Sequence, residues 1–227
     1  MSFVQTQAQD DFFTNAGRFF NKYVENGLVD YHSIQKYPTA LNELTSSISK
    51  KTLKGMDANT KKAYLINVYN ILVIKSLVKN QPLDNPLNLE GFFDKKKHNV
   101  GGNLWTLNDI ENKQLRPTYQ DARLHFALVC GAMGCPRIIS HAYTPDRLES
   151  KLEQQVRKAV NDPTFIKVDH QAKTVQISEI FYWYKDDFLK DASSLLEYIN
   201  KYRAKKIPEH FKVSKYTYDW TWNAKKK

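Results

Sequence analysis

KKAYLINVYNILVIKSLV, Lys61 to Val78, decides the fold. Asn59-Thr60 opens it, and from Ala63 to Ile74 it is apolar on nearly every side. Such a helix is buried rather than laid on a surface, so the rest of the chain must wrap around it. It carries two amides, Asn67 and Asn70, three residues apart and therefore on one face. A buried amide costs about 1–3 kcal/mol for each unpaired group. Both must meet something polar: loop backbone, which is the favoured reading, or a site.

The flanking segments are mostly short helices and hairpins. Asp10 to Glu25 carries Phe12, Phe13, Ala16, Phe19, Phe20 and Tyr23 at helical spacing, and Gly27 stops it. Val29 to Tyr31 reads as a short extended piece. Thr39 is expected to cap a helix to Ser49, with Leu41, Leu44 and Ile48 inside. His98 to Leu107 predicts a hairpin turning at Gly101-Gly102 or Gly102-Asn103. Leu107 to Leu115 predicts a helix capped by Asn108, with Glu111 in its first turn. Leu148, Leu152, Val156 and Val160 give another helix its inner face. Thr164–Val168 and Thr174–Ser178 form a second hairpin, followed by helical stripes over Ser178–Phe188 and Leu195–Tyr202. Tyr216, Tyr218, Trp220 and Trp222 alternate with smaller residues, which on a strand would put four rings on one face. Core packing is the favoured role for them, and a ring-lined groove the alternative. The fold class is α+β: a mainly helical single domain around a small, mostly antiparallel sheet, with one long buried helix. Residues 1–28 form an N-terminal helix packed on the domain, 29–223 the domain, and 224–227 a basic tail.

Composition narrows the function classes. At 227 residues, the chain can bury a core without disulfide staples. The mean hydropathy of −0.59 and the lack of a long uncharged apolar span exclude a transmembrane segment. The net charge is +10, but the lysines are scattered in short groups with acidic residues between them, so no nucleic-acid partner is expected. An acidic surface or polymer remains a candidate partner, as does a small molecule or peptide. The compartment is not fixed by the sequence. No secretory leader is visible, and a periplasmic or extracellular home is favoured if one has been removed.

Chemistry concentrates in DARLHFALVCGAMGCP, Asp121 to Pro136. Leu124 to Cys130 reads as a buried strand running into a loop broken by Gly131, Gly134 and Pro136. On a regular strand His125 and Cys130 would face opposite ways, so Cys135, with His125 or His141, is the more plausible nucleophile–base pair. A redox pair is a second reading. Cys-x4-Cys is not the Cys-x-x-Cys redox motif, yet it can close if the Cα atoms come within about 6–7 Å. Two buried cysteines acting as small hydrophobes are a third. A mixed metal site of Glu111, His125, Cys135 and His141 lacks any fixed-spacing motif, so no metal is expected. No dinucleotide fingerprint, P-loop, nucleophile elbow or His-Glu-x-x-His is present, and no cofactor is expected.

At these residues the chain resembles the domain of unknown function 547 family. The matching pieces are Ala63 to Asn70, Trp105-Thr106-Leu107 with Ile110-Glu111, Asp121 to Gly131, Cys135-Pro136, and Tyr218-Asp219-Trp220 with Asn223. The resemblance covers about Val29 to Asn223, with Trp222 a departure from the family pattern. It implies one shared domain and a common site around Asn67, Asn70, Glu111, His125, Cys130 and Cys135, and names no reaction. The reading of the residues is a thiol-dependent hydrolase or acyltransferase. Its nucleophile is Cys135, or failing that Cys130. His125 is its base, Glu111 or Asn67 orients the imidazole, and the glycine-rich loop offers N–H groups to an oxyanion. Asn70, His141, Arg123 and Trp105 are binding candidates. The alternative is a non-catalytic binding or scaffold module with structural or disulfide-bonded cysteines.

Overall fold

The computed structural model describes residues 3–81 and 84–226, with side chains from Asp11 onward. In chain order it contains α1 (Phe3–Tyr23), β1 (Val24–Glu25), β2 (Leu28–Val29), α2 (Tyr31–Lys36), α3 (Thr39–Lys50) and α4 (Ala58–Lys79). Next come β3 (His98–Val100), β4 (Asn103–Trp105), α5 (Leu107–Asp109) and α6 (Arg116–Tyr119). The last part holds α7 (Leu148–Asn161), β5 (Ile166–Asp169), β6 (Thr174–Ser178), α8 (Ile180–Trp183), α9 (Lys185–Phe188), α10 (Leu195–Tyr202) and β7 (Lys212–Tyr216).

The α4 helix is the axis. Its N-cap is Asp57, whose carboxylate accepts from the Thr60 N–H at 3.0 Å, two residues before the predicted opening. Seventeen of its side chains are buried, so it has no solvent face over most of its length. The α1 stripe from Phe12 to Tyr23 is buried, with α1 packing mainly on α3, and the Phe12 ring lies 4.6 Å from that of Tyr64 on α4. Each of those side chains contributes about 1.5–3 kcal/mol by leaving water. The α3 helix buries Leu41, Leu44 and Ile48, but its N-cap is Pro38 and Thr39 is already helical.

The sheets are small and peripheral. Hairpin β1–β2 turns at Asn26-Gly27, both at positive φ, and β3–β4 turns at Gly101-Gly102. Gly101 is required twice over: its φ is +60°, and a Cβ there would lie 2.3 Å from the Lys51 carbonyl oxygen. The β5–β6 hairpin is antiparallel, and β7 adds to β6 in parallel. This is an α+β architecture. Among the described residues no helix is long and apolar enough to cross a membrane.

Two sequence expectations fail. Leu124 to Cys130 is not a strand: residues Ala122–Phe126 form a 3-10 turn, N-capped by Asp121, and the chain then runs irregularly. A short apolar run buried on all sides has no periodicity to separate strand from turn. The four tail rings do not share a face either. The strand ends at Tyr216, because the Tyr218 N–H turns to Glu179 at 3.0 Å and Asp219 accepts from the Thr221 N–H at 2.8 Å. Tyr216 packs under Lys167, while the Trp222 ring lies tilted against Tyr31, with centroids 4.5 Å apart. The tail instead straps the molecule together. The Asn223 carbonyl accepts from Val29 N–H, and the N–H groups of Met133 and Gly134 donate to Thr221 and Asp219 at 2.8 Å each.

His98, on β3, is buried, and among the described residues its Nε2 has no hydrogen-bond partner. Burial, and then the charges of Lys96 and Lys75, hold its pKa down to about 4. The unfolded chain therefore takes up this proton first as pH falls. Stability should drop between pH 6.5 and 4 by roughly 2–4 kcal/mol on this account, and level off below. Urea unfolding of His98→Gln should show that part of the slope removed.

Candidate functional site

The loop that carries the cysteines is placed by α4. The Asn70 side chain accepts from the Val129 N–H and donates to the Ala127 carbonyl, both at 2.9 Å. Asn67 does the same for Tyr143, at 3.0 and 2.7 Å, and also donates to Ala63 at 2.8 Å. The two amides fasten backbone on either side of the cysteine loop, as their spacing suggested. Upstream, the Asp121 carboxylate is gripped by Lys62 at 2.6 Å and by Arg123 at 2.8 and 2.7 Å. Burial alone would raise its pKa, but hydrogen bonds from Arg123 and Lys62 outweigh that and hold the carboxyl below its usual value.

Gly131 then reverses the chain at φ +85°, where a Cβ would meet Leu77 Cδ1 at 2.3 Å. That bend brings Cys130 and Cys135 to a Cα separation of 6.6 Å, joined as a disulfide. The Cys130 N–H donates to Cys135 Sγ at 3.0 Å. The Tyr218 hydroxyl lies 3.1 Å from Cys130 Sγ and 2.9 Å from Cys135 Sγ. Cys130 is half-buried and Cys135 buried.

Both sulfurs line a cleft of about 320 Å³ together with His125 and Glu111. The 3-10 turn is what makes this meeting possible, since the opposite-face objection applied only to a strand. His125 Nε2 lies 2.8 Å from Asp187, and its ring stacks on Tyr184 at 3.8 Å. Asp187 is held in turn by Arg116 Nε at 2.7 Å, and Arg116 lies over the Tyr184 ring at 4.8 Å. The His125 hydrogen bond first, and then Arg116, keep the Asp187 carboxyl far below its usual pKa. An ionised acceptor there requires Nε2–H on the neutral ring, so Nδ1 carries the lone pair. Among the described residues Nδ1 makes no hydrogen bond.

Glu111 sits on a π-helical turn, Ile110–Leu115, that continues α5 and buries its side chain. Such turns recur at functional sites. Burial, and then the Glu111 charge, push the Tyr69 and Tyr184 phenols well above their usual pKa, so both remain neutral O–H donors. The cap of α5 is Thr106, in a reciprocal box with Asp109, rather than Asn108. Asn108 lines the cleft. The rings of Trp183, Tyr218 and Trp220 form an aromatic rim, with Trp183 exposed.

Several expected partners stand elsewhere. Asn67 and Glu111 do not hydrogen-bond the imidazole; Asp187 does. His141 is exposed and bonds Ser140 at 3.0 Å, so the mixed metal set is not assembled. Arg123 is tied to Asp121 and Glu149, and Trp105 is half-buried on β4 outside the cleft. The Met133, Gly134 and Cys135 N–H groups of the loop already donate to carbonyls, so they do not face an oxyanion. Asp187 escaped the sequence reading, because nothing in Lys185–Phe188 distinguishes it from neighbouring Asp186.

Fold and site together define an α+β domain built round a buried helix, with a cysteine pair and a carboxylate-oriented imidazole in one cleft. Residues 53–159 match the model of the family described as protein of unknown function, DUF547. The match takes in α4, Glu111, His125 and both cysteines, whereas Tyr184, Asp187 and Tyr218 lie beyond it. No curated protein and no solved structure matches the chain.

The disulfide joins residues five apart. Its reduction should lower stability by about 2 kcal/mol, the loop-closure value for so short a ring. Urea unfolding with and without dithiothreitol checks this. The loop should stay folded, because Asn70 and the tail hold it independently.

Proposed function

We propose that the chain is a thiol-dependent hydrolase or acyltransferase, active when the cysteine pair is reduced. The observation that carries this reading is the Asp187-oriented imidazole of His125, with Nδ1 unpartnered, in the cleft that also holds both sulfurs. Cys135 is the nucleophile. Its sulfur accepts from the Cys130 N–H and the Tyr218 O–H, contacts that favour a thiolate. A dithiol reductant opens the disulfide and is itself oxidised. His125 then takes the Cys135 proton, and the sulfur attacks a carbonyl carbon. Collapse of the adduct expels the leaving group, which receives the proton from the imidazolium. Water or an amine, deprotonated by His125, releases the acyl group from the thioester. The aromatic rim favours an acyl compound with an apolar or ring-bearing portion, or a peptide. A disulfide in the resting site supports a periplasmic or extracellular home.

The test is acylation of the reduced protein by p-nitrophenyl acetate, followed by mass spectrometry. An acetyl adduct on Cys135, removable by hydroxylamine and absent from the oxidised protein, is the expected result. No adduct, or equal adduct in His125→Ala, would end the reading. The joined sulfurs favour one alternative, a non-catalytic binding module with a permanent disulfide. It predicts no adduct in either redox state.

A further inference from the structure

A second cleft, of about 430 Å³, lies between α3, α4 and the start of β3. Lys75 and Lys79 enter it from α4, Lys96 and Lys97 from the segment before β3, and Asn42 and Ser46 from the polar face of α3. Among the described residues no carboxylate lines it. Like charges so placed repel one another. Lys75 is disfavoured as a cation by burial and then by Lys79, and Lys96 by burial and then by Lys79 and Lys75. Among the described residues no lining side chain supplies a counter-charge to relieve this repulsion. His98 also lines it. That side chain is only 7% exposed, with Nε2 unpartnered, in a protein whose other buried amides and carboxylates mostly find partners. A buried polar atom left unpaired is costly, and each such group asks for an explanation.

One ligand chemistry answers both observations. We propose that this cleft binds a phosphorylated ligand, its phosphate oxygens taken by Lys75, Lys79, Lys96 and Lys97 and, at the base, by the His98 ring. Phosphate offers several acceptor oxygens and more than one negative charge. Asn42 and Ser46 supply neutral donors at the rim. The site is separate from the cysteine cleft, and the two share no lining residue.

Isothermal titration of the full chain with inorganic pyrophosphate, at low and moderate salt, tests this. Vesicles of phosphatidylglycerol, with phosphatidylcholine as control, form a second arm. Saturable one-site binding is expected, weakened about tenfold or more in Lys75→Gln/Lys96→Gln and by added salt. A charge-matched control, Lys205→Gln/Lys212→Gln, changes two exposed lysines outside the cleft and should bind as the parent does. Binding of pyrophosphate identifies a free phosphorylated compound, and binding of anionic vesicles alone a lipid headgroup; either supports the phosphate chemistry. The His98 ring resonances should shift during the titration. Equal weakening in both variants, unmoved His98 resonances, or no saturable binding in either arm would overturn the proposal. Matching unfolding midpoints of the variants exclude a folding defect.

Discussion

His125→Ala should slow acylation of the reduced protein by about 10²–10⁴-fold, the usual contribution of a positioned base. The ring does two things in the cleft. On the proposed reading it removes the thiol proton through Nδ1, and as an imidazolium it stabilises the thiolate in the same cleft. Both depend on Asp187, which fixes which nitrogen carries the hydrogen. Asp187→Asn should therefore lose about 10–100-fold, the range for an orienting partner one step removed. An asparagine amide can present its own N–H to Nε2, which would move the ring hydrogen to Nδ1 and block the base. The oxidised protein should be inert in every variant. Stopped-flow acylation of parent and variants, all reduced to the same thiol titre, reads these ratios.

Asn70→Leu should destabilise the protein by about 2–6 kcal/mol, since two buried backbone groups lose their partners at about 1–3 kcal/mol each. The side chain lies on α4 and substitutes for a neighbouring strand, satisfying Ala127 and Val129 where the irregular chain passes. Leucine keeps the branching at Cγ and is larger, so none of the loss should come from a cavity. The same change should loosen the approach to Cys130 and lower thiol reactivity in whatever fraction stays folded. Urea unfolding gives the first quantity, and alkylation at native conditions the second.

The helical frame was legible because its signals are periodic. Lys61 to Val78 announced a buried axis, and Leu148, Leu152, Val156 and Val160 lie fully buried on α7 at the spacing that predicted it. The hairpins were legible because Gly101-Gly102 and the Thr174–Ser178 pattern are local features. The backbone of Leu124 to Cys130 was not. Its hydrogen-bond partner is a side chain more than fifty residues earlier, so no local pattern could show that a turn replaces a strand. The site was legible in part for the same reason. His125, Glu111 and the cysteines stand out by residue type and by nearness to glycines. Asp187 and Tyr218 reach the cleft only through tertiary folding, from 62 and 83 residues beyond their partners. The alternation of rings in the tail misled because a strand period survives in sequence after the backbone has turned away at Thr217.

The pH dependence of iodoacetamide labelling, mapped to individual cysteines in the reduced, folded protein, tests the central claim most directly. The account predicts that Cys135 labels first, with an apparent pKa well below the free-thiol value of about 8.5, and that His125→Ala returns it to that value. Labelling of both cysteines with an ordinary or raised pKa, unchanged by loss of the imidazole, would contradict it.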